Sequence, residues 1–387
     1  MRRGQGEGSI HRRPDGLWEA QISLGFIGGK RKRRSFYGRT RAEVRERMEA
    51  ALRDLRRGVP VSTGRLTVEE YLLGWLQDVE RTVRPKTYAA YRLWITHHVI
   101  PELGGVRLDK LGPQEVQRFL TRKLGTGLSP RSVHHIRAVL RQALQRAVKW
   151  GLISRNAAAL ADPPHVPHRP LVQISVDDAR RILEVTSGTR LEALVAVTLF
   201  GGLRQGEVLG LRWSDIDPDA RTLTVALALQ RLPATETEPS RLALVQAKTS
   251  RSRRSVSFPA VLADILRSHR ARQAEDKLRA GQLWKERIRG LVFTTVTGGP
   301  LSGPEVTKAY QRLLAQARLP RWRYHDLRHA CATLLLASGV DIAVVRDILG
   351  HSTIALTANT YAAVLPSLQR EAAERLATFI GFAGPRA

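Results

Sequence analysis

A proline-rich stretch near the middle of the chain restricts the fold more than any other feature of the sequence. The segment "DPPHVPHRPLV", residues 162–172, contains four prolines. Proline lacks the backbone N–H and clashes with the preceding turn, so no regular helix can run through this segment. A chain of 387 residues exceeds the usual size of one hydrophobic core. We therefore expect separately folded domains, with the boundaries 1–61, 66–161 and 172–387.

The first predicted domain, residues 1–61, combines a small sheet with one helix. "GLWEAQISLG" alternates apolar and polar residues as a strand does, and "KRRSFYG" is expected to pair with it after a Gly-Gly turn. Thr40 is a good N-cap with Glu43 three residues on, so a helix should follow and end near Gly58. These patterns predict a hairpin-containing sheet plus one helix, and the fold class that we expect for this domain is a three-stranded sheet plus a helix.

The same domain is the most basic part of the chain, with 16 Lys or Arg against seven Asp or Glu. It includes five consecutive cations, namely Lys30, Arg31, Lys32, Arg33 and Arg34. Such a run either contacts DNA or forms a solvated turn, and the charge of the whole chain favours DNA.

Residues 66–161 are predicted to be entirely helical. Helices are expected to open at the capping box "TVEE", at Pro85, at Pro113 and at Ser129. The last of these helices has one apolar stripe, while its other faces carry cations that include Arg131, Arg137 and Arg141. Those cations can lie against DNA or form an ordinary solvated face.

Residues 172–387 are predicted to mix helices with strands. "SVDDARRILEV" and "EALVAVTLF" have helical patterns, and the chain beyond Pro304 is again helical. Strands are expected in "RTLTVALALQR", "RLALVQAKTS" and "RRSVSFP". The fold class predicted for the whole chain is therefore multidomain and mainly α with small β-sheets, and the last domain is α+β.

The charge of the chain limits the kinds of partner it can have. There are 63 Lys and Arg against 35 Asp and Glu, a net charge of +28, which favours a polyanion as partner. No segment approaches the ~18 apolar residues of a membrane-spanning helix, and the N-terminus lacks the apolar run of a signal peptide. We expect a cytoplasmic protein that binds nucleic acid and not a membrane.

The sequence offers little for a metal site. Cys331 is the only cysteine, so neither an internal disulfide nor a thiolate cage can form, and its apolar surroundings predict a buried packing residue. The 11 histidines do not show the spacing of a zinc-binding helix. No metal or other cofactor is expected.

Four separated stretches of the last domain carry reactive side chains: "FGGLRQGEVLGLRWSDID", "QAKTSRSRRSVSF", "HDLRHACATLLLASGV" and "LGHSTIALTANTY". In this order they resemble the motifs of the tyrosine recombinase family, the lambda-type integrases of phages and integrative elements. "GLRQGE" is similar to the first arginine motif, "AKT" with "SRR" to the hairpin lysine, "HDLRH" to the His-x-x-Arg motif, and "LGHSTI" with "TY" to the His and Tyr motif. The resemblance extends along the whole chain in the order of its domains.

Several of these residue types suit phosphoryl transfer on chemical grounds alone. The phenol of Tyr361 can attack DNA and form a phosphodiester similar in energy to the bond it replaces, so the reaction reverses without ATP. Arg204 and Arg328 offer planar guanidinium groups to phosphate oxygens and can stabilise the transition state without magnesium. Glu207, three residues after Arg204, can hold that guanidinium in place.

Further roles are implied by the resemblance. Lys248 would protonate the 5′ leaving oxygen, and His325 would either donate a hydrogen bond to the phosphate or act as a base toward the phenol. Gly350 is a predicted helix C-cap that lets His351 point toward the phosphate. His329 is expected to support the site from outside the reacting groups. Arg253 and Arg254 are basic neighbours of these motifs, and contact with the DNA backbone or simple solvation would account for either of them.

The resemblance implies an arm-type DNA-binding domain, a helical SAM-like core-binding domain and a catalytic domain. It implies a site-specific recombinase that proceeds through 3′-phosphotyrosyl intermediates and a Holliday junction, integrating and excising a prophage or an integrative conjugative element. Double-stranded attachment sites, a synaptic homotetramer, a DNA-bending host factor and an excisionase are the implied partners, in the bacterial nucleoid. The C-terminal helical tail would pack either on a neighbouring subunit or on the subunit to which it belongs.

Two alternatives use the same scaffold. A type IB topoisomerase shares the chemistry but relaxes DNA without exchanging strands. A catalytically idle DNA-binding regulator would keep the fold without the reaction, although the complete set of predicted catalytic residues argues against it.

Overall fold

The structure is a computed structural model that divides into two compact units, Met1–His168 and Arg169–Ala387. The boundary lies in the proline-rich segment through which no regular helix was expected to run. The residues that the structure describes are 8–27, 30–56, 66–167, 174–234, 239–246, 253–361, 373–374 and 376–381.

A three-stranded antiparallel sheet and one helix form near the N-terminus, as predicted. The strands β1 (Ser9–Arg12), β2 (Trp18–Ile27) and β3 (Lys30–Gly38) lie in that order, and α1 (Arg41–Arg56) packs on them. The predicted cap is present, because the backbone N–H of Glu43 donates to Thr40 Oγ1 at 3.2 Å. The buried apolar side chains among the described residues of this part are Ala20, Ile22, Val44, Met48 and Ala51.

The following residues form the predicted helical block. Its helices are α2 (Val68–Glu80), α3 (Pro85–Trp94), α4 (Ile100–Leu103), α5 (Pro113–Gly125), α6 (Pro130–Lys149) and α7 (Ala157–Leu160). A five-residue π turn, Ile95–Val99, connects α3 to α4. The capping box at Thr67 is formed with Glu70, since each residue's side chain accepts from the other's backbone N–H. Local sequence signals therefore specify where these helices begin.

The second unit contains eight labelled helices among its described residues. They are α8 (Val176–Thr186), α9 (Glu192–Gly201), α10 (Gln205–Leu209), α11 (Ala260–Ala280), α12 (Gly303–Gln316), α13 (Asp326–Ala337), α14 (Ile342–Leu349) and α15 (Ile354–Tyr361). α11 was not predicted, because its apolar residues do not recur on one face and only Leu262 and Leu266 are buried. None of the described helices combines the length and apolar character required to cross a membrane.

Two small antiparallel sheets accompany these helices. One contains β4 (Ile216–Asp217), β5 (Thr222–Val225) and β8 (Arg254–Ser257), and the other contains β6 (Leu227–Leu232) and β7 (Arg241–Gln246).

The single strand predicted in "RTLTVALALQR" is wrong, because the structure divides it at Ala226 into β5 and β6. The two parts pair with different strands. Val225 of β5 pairs with Arg254 of β8, whereas Leu227 of β6 pairs with Gln246 of β7, so β5 and β6 belong to different sheets.

Candidate active site

Arg204 stands where α9 ends and α10 begins. Gly202 adopts the left-handed conformation (φ 61°) and ends α9, and Arg204 then caps the N-terminus of α10. Its side chain is 41% exposed, and its Nη1 donates to Glu207 Oε1 at 2.7 Å. Glu207 therefore binds this guanidinium as predicted, while the exposed part of the Arg204 side chain remains accessible to a ligand.

Glu207 is a buried carboxylate shared by several cations. Its side chain is 6% exposed and also accepts from Arg254 Nη2 at 3.0 Å and from the Arg204 backbone N–H at 2.9 Å. Arg328 Nη1 lies 3.9 Å away. Burial alone would raise the pKa of this carboxyl, but Arg254 and then Arg204 hold the pKa below its usual value. Glu207 therefore carries a negative charge that keeps these arginines together.

Arg328 lies in the interior of the unit, with 2% of its side chain exposed. Its Nη1 donates to the carbonyl of Gly202 at 2.6 Å and its Nη2 to the carbonyl of Leu349 at 2.7 Å. Arg328 thus connects the C-terminal ends of α9 and α14. The predicted pair of phosphate-binding arginines consists of one exposed and one buried guanidinium.

The expectation that Arg254 contacts the DNA backbone does not hold. Its side chain is 6% exposed, because Nε donates to the carbonyl of Ile348 at 2.6 Å and Nη2 donates to Glu207. The covered guanidinium joins β8 to the end of α14. The neighbouring Arg253 is exposed, as a contact to DNA would require.

His325 and His329 lie at the start of α13, with ring centroids 4.8 Å apart and nearly perpendicular planes. The surrounding protein lowers the pKa of His325 to about 4, first by removing water and then through His329 and Arg328. His325 is nonetheless an exposed residue, so solvent offsets part of this effect. The pKa of His329 is also lowered, mainly by burial.

Asp326 was missed in the sequence. It is 2% exposed and accepts from the backbone N–H of Arg323 at 2.8 Å and from Arg323 Nη2 at 2.7 Å. These bonds close the turn that carries His325 into α13. The three-residue spacing of an Arg and an Asp within "RYHDLRH" was the available signal.

The end of α14 orients His351. Gly350 is left-handed (φ 63°), as predicted, and the His351 backbone N–H donates to the carbonyl of Arg346. The imidazole Nδ1 lies 3.0 Å from Oγ1 of Thr357, a fully buried residue that the sequence did not single out. Burial, followed by Arg328 and Arg204, lowers the pKa of His351 to about 4. The ring is therefore neutral near pH 7.

Two predicted catalytic side chains are outside the described residues. Tyr361 is the last residue of α15, but only its backbone is described, and Lys248 follows the end of β7 by two residues. Cys331 is buried, which raises the pKa of its thiol to about 12, so it is a packing residue.

The predicted DNA-binding residues fall into three groups. Arg33, Arg131 and Arg141 are exposed. Arg137 has a structural role, because its Nε and Nη2 donate to the carbonyl of Ala161 at 2.9 and 2.6 Å and connect α6 to the end of α7. For the remaining four, the structure describes only the backbone, which lies in β3: Lys30, Arg31, Lys32 and Arg34.

Among the described residues, no group of three or more His, Cys, Asp or Glu side chains could hold a metal ion. The positive charge of the site comes from arginines.

The sequence matches two known protein families. Residues 173–367 match the Phage integrase family, and residues 67–124 match the phage integrase N-terminal SAM-like domain. A "Tyrosine recombinase XerC-like" protein of Caldanaerobacter subterraneus is 31% identical over 90% of this chain and 92% of its own length. The chain belongs to the phage integrase family of tyrosine recombinases, enzymes that cleave and rejoin DNA.

Solved structures share the fold. The Tn1549 transposon integrase, in complex with transposon right-end DNA, covers 81% of this chain and 100% of its own, with a TM-score of 0.69 and 21% identity. A lambda integrase tetramer bound to a Holliday junction covers 89% of this chain and 95% of its own, with a TM-score of 0.53 and 17% identity. These likenesses agree with the fold class predicted from the sequence.

Proposed function

We propose that this chain recombines specific DNA sites by attack of Tyr361 on a backbone phosphate, forming a 3′-phosphotyrosyl intermediate. The observation that carries the proposal is the convergence of Arg204, Arg328 and His351, which come from three distant motifs. Both guanidinium groups lie at Glu207, where α9 ends and α10 begins, and Arg328 also donates to the carbonyl of Leu349, two residues before His351. Such a cluster of cations and a neutral imidazole suits a phosphodiester.

The exposed N–H groups of Arg204 bind the non-bridging oxygens of the scissile phosphate. Arg328 supplies positive charge from the interior, where the low dielectric strengthens its effect, and holds the backbone that presents both Arg204 and His351. The two permanent charges stabilise the negative charge that gathers in the transition state. The site needs no metal for this step.

Tyr361 supplies the attacking oxygen. The new P–O bond to the phenol forms as the bond to the 5′ oxygen breaks, and Lys248 protonates that oxygen as it leaves. His325 either accepts the phenolic proton or donates to the phosphate, and its lowered pKa keeps the ring neutral and able to accept. Rejoining reverses these steps, with a 5′ hydroxyl from the partner duplex attacking the phosphotyrosine.

In the wider reaction, two attachment sites exchange strands through a Holliday junction inside a homotetramer. The lambda integrase tetramer on a Holliday junction and the transposon integrase on transposon-end DNA support this assignment, as does the charge of +28. The product would be an integrated or excised mobile element, a prophage or an integrative conjugative element. A DNA-bending host factor and an excisionase would assist, and the reaction would take place on the nucleoid in the cytoplasm.

The decisive experiment uses nicked suicide duplexes whose sequences are taken from the DNA on both sides of the gene. The wild-type protein should form a covalent adduct that migrates as protein joined to DNA in a denaturing gel. Tyr361→Phe should abolish the adduct, because it removes only the attacking oxygen. Tyr37→Phe, a change at an exposed tyrosine outside the site, is the matched control and should retain it.

Two outcomes would favour the alternative functions. Relaxation of a supercoiled plasmid without any recombination between two matched sites would indicate a topoisomerase. Tight and specific DNA binding without an adduct would indicate an idle regulator.

A further inference from the structure

A side-chain contact between His351 and Thr357 links the terminus of α14 to α15. His351 Nδ1 and Thr357 Oγ1 are 3.0 Å apart, within hydrogen-bonding distance. Thr357 is fully buried, and His351 is half-buried. The bond is therefore protected from water and fixes the rotation of the imidazole.

The position of Thr357 connects this bond to the nucleophile. α15 spans Ile354–Tyr361, so Thr357 lies four residues, about one helical turn, before Tyr361. His351 belongs to the turn that precedes α15. Its backbone N–H donates to the carbonyl of Arg346, and Arg328 Nη2 donates to the carbonyl of Leu349 in the same turn. The hydrogen bond consequently joins the helix that carries Tyr361 to the part of the site held by arginines.

The chemistry of phosphate recognition determines the direction of the bond. A neutral imidazole has one N–H and one bare nitrogen, and the bond made by one nitrogen determines which proton the other carries. Phosphodiester oxygens only accept hydrogen bonds, so His351 can serve them only through a protonated Nε2. Nδ1 must then be bare, and the Thr357 hydroxyl must be the donor.

We infer that Thr357 is a positioning residue whose hydroxyl holds His351 in the tautomer that donates from Nε2 to the scissile phosphate. This inference rests on the proposed function. Because the hydroxyl belongs to α15, His351 is oriented only while that helix is packed in place. A subunit whose α15 has moved away loses its oriented histidine together with its nucleophile, and so is inactive for two separate reasons.

The test compares Thr357→Val, which keeps the shape but removes the hydroxyl, with Thr357→Ser, which keeps the hydroxyl. In the full chain labelled with ¹⁵N-histidine, imidazole ¹⁵N shifts report the tautomer of each ring, and His351→Gln assigns the signals of His351. The wild type and Thr357→Ser should show protonated Nε2. Thr357→Val should show a mixture of the two tautomers.

The same variants are then assayed in single-turnover cleavage of the nicked duplex. Thr357→Val should cleave about tenfold more slowly or worse, by analogy with the loss of the partner that orients a metal-bound histidine. Thr357→Ser should stay within about twofold of the wild type. In a His351→Gln background, Thr357→Val should cause no further loss, because the two residues act through one bond.

Three results would overturn the inference: protonated Nδ1 in the wild type, an unchanged tautomer in Thr357→Val, or additive losses in the double variant. The first of these does not depend on Thr357→Val, so the inference stays testable even if that variant does not fold. A wild-type protein that forms no adduct would instead contradict the proposed function. In that case, the tautomer measurement still decides whether Thr357 controls the ring.

Discussion

At the scale of single residues, the Glu207 carboxylate compensates the charge of buried arginines. It accepts from Arg204 and Arg254 while 6% of its side chain is exposed, and Arg254 is equally buried. A buried ion pair adds little net stability compared with apolar packing, but removing one partner leaves the other charge uncompensated in a medium that solvates it poorly. Glu207 is therefore important because its loss would leave the buried charge of Arg254 uncompensated.

Glu207→Gln should lower the free energy of unfolding of the chain by about 3–5 kcal/mol, because the amide cannot balance the buried charge of Arg254. Chemical denaturation followed by fluorescence measures this loss. Asp177→Asn is the matched control, because the side chains of the Asp177–Arg180 pair are 84% and 69% exposed. The control should change stability by less than about 0.5 kcal/mol. Equal effects of the two changes would contradict the interpretation of Glu207.

At the scale of secondary structure elements, the site is assembled from the ends of helices. α9 ends at Gly202 and α14 ends at Gly350, and both glycines are left-handed. Arg328 donates to a carbonyl at each of these ends, where helix carbonyls lack intrahelical partners and carry partial negative charge. One buried arginine thereby fixes the two turns that present Arg204 and His351.

Gly202→Ala should destabilise the second unit by at least ~2 kcal/mol. A Cβ there would lie 2.9 Å from Leu349 Cδ2 and 3.2 Å from Cys331 Sγ, in addition to the cost of ~1 kcal/mol or more for the left-handed backbone. The matched control is Gly74→Ala, since Gly74 lies within α2, where a Cβ would meet nothing within 4 Å. The control should stabilise the chain by up to ~1 kcal/mol, because alanine favours helix. Thermal unfolding of both variants shows whether each change in stability is a loss or a gain. A stabilised Gly202→Ala would contradict the left-handed, closely packed environment described for Gly202.

At the scale of the whole molecule, the charge of +28 should dominate binding to DNA. Each phosphate contact releases counterions, so affinity falls as salt rises, with a logarithmic slope of about −0.9 per contact. Which arginines contribute to that slope depends on whether the folded chain exposes their guanidinium groups.

Arg131→Ala and Arg141→Ala should each reduce the magnitude of the salt slope by up to about one, because both residues are exposed. Arg137→Ala should leave the slope nearly unchanged and instead lower the stability of the helical block, because it loses the bonds to the Ala161 carbonyl. Fluorescence anisotropy with a labelled duplex at several salt concentrations measures the slopes. A salt slope that becomes smaller in magnitude for Arg137→Ala, but not for Arg131→Ala or Arg141→Ala, would contradict the assignment of the last two residues as phosphate contacts.

The linear sequence alone determined the features that depend on near neighbours. The cap at Thr67, the left-handed end at Gly350 and the Arg204–Glu207 contact at a spacing of three all follow from a few consecutive residues. The mainly helical fold class and the order of the four motifs were likewise available, because apolar periodicity and motif spacing are properties of the sequence itself.

Tertiary structure alone decided which of those residues are buried and which distant residues they contact. Arg253 and Arg254 are adjacent and chemically identical, but the fold exposes the first and buries the second beside Glu207 and the end of α14. The hydrogen bond between His351 and Thr357 depends on how the turn after α14 packs α15. The alternation of a strand places Arg254 on the same face as the buried Val256 and Phe258. It does not show that Glu207 and the end of α14 cover this arginine, because pairing across long sequence separations arises only when the chain folds.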